Sequence, residues 1–329
     1  IGQHTFSMFR DFQIRWAHKN LKVRKTHKLS FVRQCVAFLL SKSAREIPHA
    51  AGNVEFDVTP VFEYGERVIR EMKANGQKLT PEQFTKMAVH KNLSAFFLKT
   101  IAHVTYHIPI INGYFEWTPW RDGGRFHEME DINPLFTVHT KRGVMGPIIR
   151  NPHQRTLVDV ANEMRTLTRK ARRTDMNELY RNIAGELLGT AVRELDLSGL
   201  PMAWLWLKSS LWPEPIDEEV KNTPEDEKLQ PKDVIGSTIT VANIGMSIDG
   251  WQTVTVIPSP HVFMWGVGLT RVMPRVVDGQ IVPRRVMTIC VTFDHRAMDG
   301  GHIFDFERIM NGYFRNPERI FDWKPGDPI

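Results

Sequence analysis

The chain predicts an α/β fold, and three observations carry that reading. Apolar residues recur at helical spacing in several separate stretches. Short strand-like runs rich in Val, Ile, Thr and Phe lie between those stretches. The last of these runs passes directly into a turn and then a helix.

In chain order, Ile1 to Thr26 mixes aromatic and basic residues and reads as an arm ahead of the core. From Phe31 to Ala44, Val32, Cys35, Val36, Leu39 and Leu40 fall at helical spacing. Ile47-Pro48-His49 ends that helix, because proline disfavours helical geometry in the residue before it. Val54 to Val58 alternates apolar and polar residues, as a strand with one buried face does. Val61 to Asn75 reads as a helix, and Thr80-Pro81-Glu82-Gln83 offers another helix start, ahead of the apolar run Leu93 to Val104. Trp117 to Arg125 is a Pro- and Gly-rich loop. Leu135 to Val138 and Met145 to Ile149 read as short strands either side of the Lys141-Arg142-Gly143 turn. Leu157 to Arg173 places Leu157, Val160, Ala161, Met164 and Leu167 on one side of an amphipathic helix.

Residues 174–226 stand apart. Their first half reads as helical; Trp204-Leu205-Trp206-Leu207, Trp212 and an acidic, Pro-punctuated stretch follow. Such a segment is too long for a plain loop in a compact domain. Ser237 to Ala242, Val262 to Val267 and Val286 to Phe293 close the core as strands, and Ile303 to Phe314 is the final helix.

The net charge of +6 has two readings: a polyanionic partner, or solvent-facing Lys and Arg with no partner. The densest basic run, Lys19 to Lys28, lacks the aromatics and glycines of an RNA-recognition motif, which argues against nucleic acid. Cys35 and Cys290 are the two cysteines and form no metal-ligand spacing, so neither a metal site nor a disulfide framework is expected. That usage suits a reducing compartment: the cytoplasm, or the mitochondrial matrix of a eukaryote. No run of about twenty apolar residues predicts a membrane span.

The sharpest chemical feature is Asp294-His295-Arg296-Ala297-Met298-Asp299-Gly300-Gly301. A histidine on a turn at a strand end can be held in one orientation and still face a cleft. Its ordinary pKa near 6.5 lets it accept a proton at neutral pH. A carboxylate four residues on can fix the loop or an adjacent arginine, and the glycines let the chain turn tightly and a substrate approach.

Further segments give this motif its context. They are Leu29-Ser30-Phe31-Val32-Arg33, Ile47-Pro48-His49, Val54 to Thr59, Thr140 to Ile149, and Lys228 to Pro231 leading into Gly236 to Gly245. In that order they resemble the catalytic domain of the dihydrolipoamide acyltransferases, the second component of the 2-oxo acid dehydrogenase complexes. That domain is in turn similar to chloramphenicol acetyltransferase. The resemblance implies a sandwich of a mixed sheet with helices on one face, forming a homotrimer with the active site between subunits. It also implies acyl transfer between CoA and dihydrolipoamide, with His295 as general base and Asp299 keeping the site in shape. Arg33 is either the ion-pair partner of Asp299 or a surface residue of the first helix. Gly300 belongs to the supporting region.

The chain departs from the family at Ala242, where the family's serine gives a hydroxyl to the oxyanion. Thr240, two residues earlier on the same strand face, Asn243 or a backbone N–H are the stand-ins, and a slow, redirected or inactive site is the alternative. No lipoyl or subunit-binding domain precedes the core. Either those modules lie ahead of Ile1 or this is a free-standing member that meets a lipoyl group in trans; the insertion favours the latter. The expected organisation is an arm at 1–26 and a catalytic domain at 27–329 with the insertion at about 174–226. The insertion's tryptophans either pack on this protein's own subunits, dock a partner, or rest at a membrane surface. The resemblance also allows a larger cage built from trimers, for which Ile329 is the candidate apolar anchor. Two functions stand: a CoA-dependent acyltransferase, and a trimeric scaffold without catalysis.

Overall fold

The computed structural model describes residues 2–74, 80–117, 123–141, 143–194, 200–211, 216, 218–243 and 255–329. The arm opens as a helix, α1 (Gly2–Asn20). Ser30 caps α2 (Phe31–Glu46) by accepting the Arg33 N–H, and the chain then enters strand β1 (His49–Asp57). Helix α3 (Thr59–Ala74) follows. Thr80 and Gln83 start α4 (Pro81–Lys91) reciprocally: the Thr80 hydroxyl accepts the Gln83 N–H, and the Gln83 side chain accepts the Thr80 N–H. Helix α5 (Ser94–His107) is buried along most of its length.

A hairpin of β2 (Gly113–Glu116) and β3 (Arg125–Glu128) flanks the Pro- and Gly-rich loop, whose residues 118–122 lie outside the described ones. The strand expected over Leu135 to Val138 is two strands. β4 (Pro134–Phe136) joins the main sheet, and β5 (Val138–Thr140) pairs with β6 (Gly143–Met145) in a hairpin of its own. β6 ends at Met145 rather than running to Ile149. Pro147 has no N–H to offer a ladder, and Ile148 keeps a single bridge to Leu135.

Helix α6 (Leu157–Arg173) has the predicted bounds, with Thr156 accepting the Asp159 N–H at its start. The insertion folds as α7 (Met176–Glu194) and α8 (Leu200–Leu211), packed on each other and on α2, with a short α9 (Glu218–Lys221). The Trp204–Leu207 run is helical, so the helical part of the insertion extends past its first half; Trp212 lies outside the described residues. Trp206 is half-buried and its indole N–H donates to the Arg181 carbonyl at 3.0 Å.

The core strands are β7 (Ile239–Asn243), β8 (Phe263–Val277) and β9 (Gln280–Asp294). The last two are about twice the expected length. They form a hairpin that turns at Asp278-Gly279, both with positive φ, and its outer part exposes Val272, Val276 and Ile281. The chain ends with α10 (Gly300–Ile303), α11 (Asp305–Arg315) and α12 (Glu318–Phe321).

The main sheet has the order β1-β9-β8-β7-β4, with β7 parallel to both neighbours and the other pairs antiparallel, so it is mixed. Register and alternation sort its residues by face. Phe56, Val291, Trp265 and Val241 face the core shared with Phe96, Phe306 and Phe314 of the helices. The other face carries smaller or polar residues: Thr240, Ala242, Gly266, Cys290 and Thr292. Residues of the 255–262 segment cover it. Ile257 packs with Ala242, Met264 and Ile47, and the Thr255 hydroxyl meets that of Thr292 at 3.1 Å.

Candidate active site

His295 is the first residue past β9, and β9 is paired on both sides, by β1 and by β8. Its backbone N–H donates to the Pro48 carbonyl at 3.1 Å, tying the turn to the entrance of β1. Its side chain is exposed, with the Phe293 ring 5.7 Å away. Among the described residues its ring nitrogens make no hydrogen bond, so both stay open to a substrate.

The turn under the imidazole is built by Asp294. This carboxylate is 1 % exposed and accepts from the Arg296 backbone N–H at 2.9 Å and from the Arg296 guanidinium at 2.6 Å. The Asp294 carbonyl accepts from the N–H groups of Ala297 and Met298. Arg296 also lies over the Phe115 ring, 4.7 Å from its centre, which attaches the β2–β3 hairpin to the site. A buried charge needs such a partner, and here the pair fixes the direction in which His295 leaves the strand.

Asp299 does not meet Arg33. It caps α10: its carboxylate accepts the Gly301 N–H at 2.8 Å and lies 3.0 Å from His302 Nδ1. Slight desolvation works upward on that carboxyl. The Gly301 N–H and the His302 ring outweigh it and hold the carboxyl below its ordinary value. Arg33 is exposed in the first turn of α2, the second of its two expected placements. The two glycines differ in purpose. A Cβ on Gly300 would meet the Phe304 ring at 3.8 Å, an ordinary contact, whereas on Gly301 it would sit 3.0 Å from the Asp299 carboxylate.

β7 brings Thr240 and Ala242 to the sheet face opposite the helices. Thr240 is 3 % exposed, and its hydroxyl lies 2.8 Å from Nδ1 of His261. The other ring nitrogen, Nε2, lies 2.9 Å from the Ser237 carbonyl, which can only accept. Nε2 therefore carries the ring proton, Nδ1 accepts, and the single Thr240 hydroxyl proton goes to Nδ1; the hydrogen-bond network assigns this tautomer. Burial pushes the His261 imidazole down to about 4, against a small upward pull from its bond to Ser237, so it is neutral at physiological pH. Thr240 thus has no proton left for an oxyanion. Ala242 is closed in by Ile47, Ile257 and Met264, and the Asn243 side chain lies outside the described residues.

His261, His302 and the Asp294–Arg296 pair escaped the sequence reading. A capping box was the available signal for His302, three residues after Asp299. Among the described residues no three His, Cys, Asp or Glu gather as a metal site requires.

Residues 22–179 and 217–321 match the 2-oxoacid dehydrogenases acyltransferase (catalytic domain). The chain belongs to that family. A Schizosaccharomyces pombe relative, a probable dihydrolipoyllysine-residue succinyltransferase component of the mitochondrial 2-oxoglutarate dehydrogenase complex, is 24% identical over 74% of this chain and 42% of its own length. A Bacillus subtilis relative, the lipoamide acyltransferase component of the branched-chain alpha-keto acid dehydrogenase complex, is 25% identical over 82% of this chain and 47% of its own. The chain thus spans about half the length of these curated relatives. The cubic core of the pyruvate dehydrogenase multienzyme complex shares the fold, with a TM-score of 0.60 at 18% identity over 92% of this chain and 95% of that one. The family match omits residues 1–21, 180–216 and 322–329.

Proposed function

We propose that this domain moves an acyl group between CoA and a dihydrolipoyl thiol, with His295 as the general base. The observation that supports this most is the imidazole itself: exposed, without a hydrogen bond among the described residues, and mounted on a turn clamped by buried Asp294 and its partner Arg296.

The neutral His295 ring takes the proton of an incoming thiol, and the thiolate adds to the carbonyl carbon of the acyl thioester. The tetrahedral adduct collapses, its carbon–sulfur bond to the first carrier breaks, and the departing thiolate recovers the proton from the imidazolium. No oxidant or metal enters this balance. Asp299 serves as a positioning residue, shaping the loop through Gly301 and His302. The active unit is a trimer in which His295 faces the β7 strand of a neighbour, and the lipoyl group arrives on another domain or another protein. A reducing compartment, cytoplasm or mitochondrial matrix, suits free thiol substrates.

Ala242 favours a second reading, a scaffold without catalysis. It has no hydroxyl, and the described part of β7 offers no other free side-chain donor, since Thr240 is committed to His261. Loss of one oxyanion donor costs about 10²–10³ in rate.

The deciding assay follows acyl transfer from acetyl-CoA and from branched and longer acyl-CoAs to dihydrolipoamide, in the natural protein and in His295→Ala. Turnover that falls by about 10²–10⁴ in His295→Ala is the expected result. CoA binding without turnover would remove dihydrolipoamide as the acceptor. Neither binding nor turnover would leave the scaffold.

A further inference from the structure

Two segments, the arm and the part of the insertion from α8 onward, expose apolar side chains beside runs of opposite charge. From Phe12 to Leu29 every side chain but that of Ala17 is exposed, including Phe12 at 58%, Ile14 at 51% and Trp16 at 52%. A lone helix of this length gains little from propensity alone, and clustered exposed aromatics mark a surface that something covers. The arm is also cationic: over residues 10–28, Lys and Arg outnumber Asp and Glu seven to one.

The insertion repeats this layout with the charge reversed. Helix α8 exposes Trp204 at 65%, Leu207 at 43% and Leu211 at 60%. Over residues 214–227, Asp and Glu then outnumber Lys and Arg seven to one. Glu218 and Asp226 are exposed there; Glu225 and Glu227 are exposed too, and pair with Lys228 and Arg173.

We propose that the arm of one copy seats on the insertion of a neighbouring copy. Phe12 and Trp16 would meet the Trp204–Leu211 face, and the Lys19–Lys28 stretch would meet the acidic stretch that follows α8. An anionic bilayer or a nucleic acid would suit the arm, but it would repel the acidic stretch and leave the α8 face bare. Within one copy both faces stand open at the same time, so the occupant comes from another.

Gln13→Cys and Lys208→Cys place thiols beside the two apolar faces without removing their anchors. The native Cys35 and Cys290 are buried and do not compete. The two single variants, each with its own tag, are co-expressed as full chains and oxidised. A disulfide joining the two tags is expected, and it should be lost in high salt and in chains that also carry Phe12→Ser and Trp16→Ser. A bond that forms only within single chains carrying both cysteines would overturn the proposal. So would no bond at all in a folded protein, or an arm that instead carries the protein onto phosphatidylglycerol vesicles.

Discussion

At residue scale the departure of interest is Ala242. Its methyl group fills a niche lined by Ile47, Ile257 and Met264, and all four are buried. A hydroxyl placed there loses water and finds apolar neighbours, which costs about 1–3 kcal/mol. If the acyl carbonyl comes to this strand, the same hydroxyl supplies the missing donor. Ala242→Ser is therefore expected to raise kcat by about tenfold or more while lowering the urea midpoint; a faster variant with an unchanged midpoint would contradict the packing account. The turn that carries His295 could be read from the sequence because its signals are local: a β-branched strand, a glycine pair and a helix; its ties to Pro48 and Phe115 could not. Nor could the partner of Thr240. His261 is 21 residues away and reaches Thr240 only because β7 and β8 are parallel neighbours.

At the scale of elements, that bond ties the covering segment to β7. His261 accepts from Thr240 and donates to Ser237, and Tyr114 OH donates to the same Ser237 carbonyl at 2.5 Å. His261→Gln keeps an acceptor and a donor on one planar group and should behave like the natural protein. While Tyr114 still serves the Ser237 carbonyl, His261→Leu leaves the buried Thr240 hydroxyl without a partner, at about 1–3 kcal/mol. It should also cut kcat with KM unchanged, as expected if the segment holds β7 in place. Equal kinetics in both variants would confine His261 to stability. Legibility varied among elements for similar reasons. α6 was readable to the residue, since Thr156 caps it and Val160, Ala161 and Leu167 form one buried stripe. The outer half of the β8–β9 hairpin was not, because Val272, Val276 and Ile281 face solvent, where burial gives no alternation to follow. Asp278-Gly279 was the overlooked signal, a pair suited to positive φ at both turn positions. β2 and β3 are short and carry charged residues, so periodicity had too little length to register.

At the scale of the whole molecule, buried histidines make stability depend on acid. Burial holds His153 and His261 down to about 4 and His103 to about 2, and His103 is depressed further by neighbouring Lys99. Both ring nitrogens of His103 are buried without a hydrogen-bond partner among the described residues, and its ring meets Tyr313 and Trp323 edge-on. Below pH ~6.5 the unfolded chain binds a proton at each of these rings and the native chain does not, so native stability falls as pH falls. The slope is about 1.4 kcal/mol per pH unit for each histidine; it ends near pH 4 for His153 and His261 and continues lower for His103. The urea midpoint should therefore drop steeply between pH 7 and pH 5, less so in His261→Gln. A flat midpoint over that range would mean that these rings already bind protons in the native state.

Every alanine codon becomes a serine codon by a change at its first base, so the hydroxyl missing at position 242 is a single mutational step away. Its packing against Ile47, Ile257 and Met264 sets what that step costs in stability. On the proposed function, a population grown under selection for faster acyl transfer would reach Ala242→Ser early, and its next changes would be stabilising ones among those three neighbours.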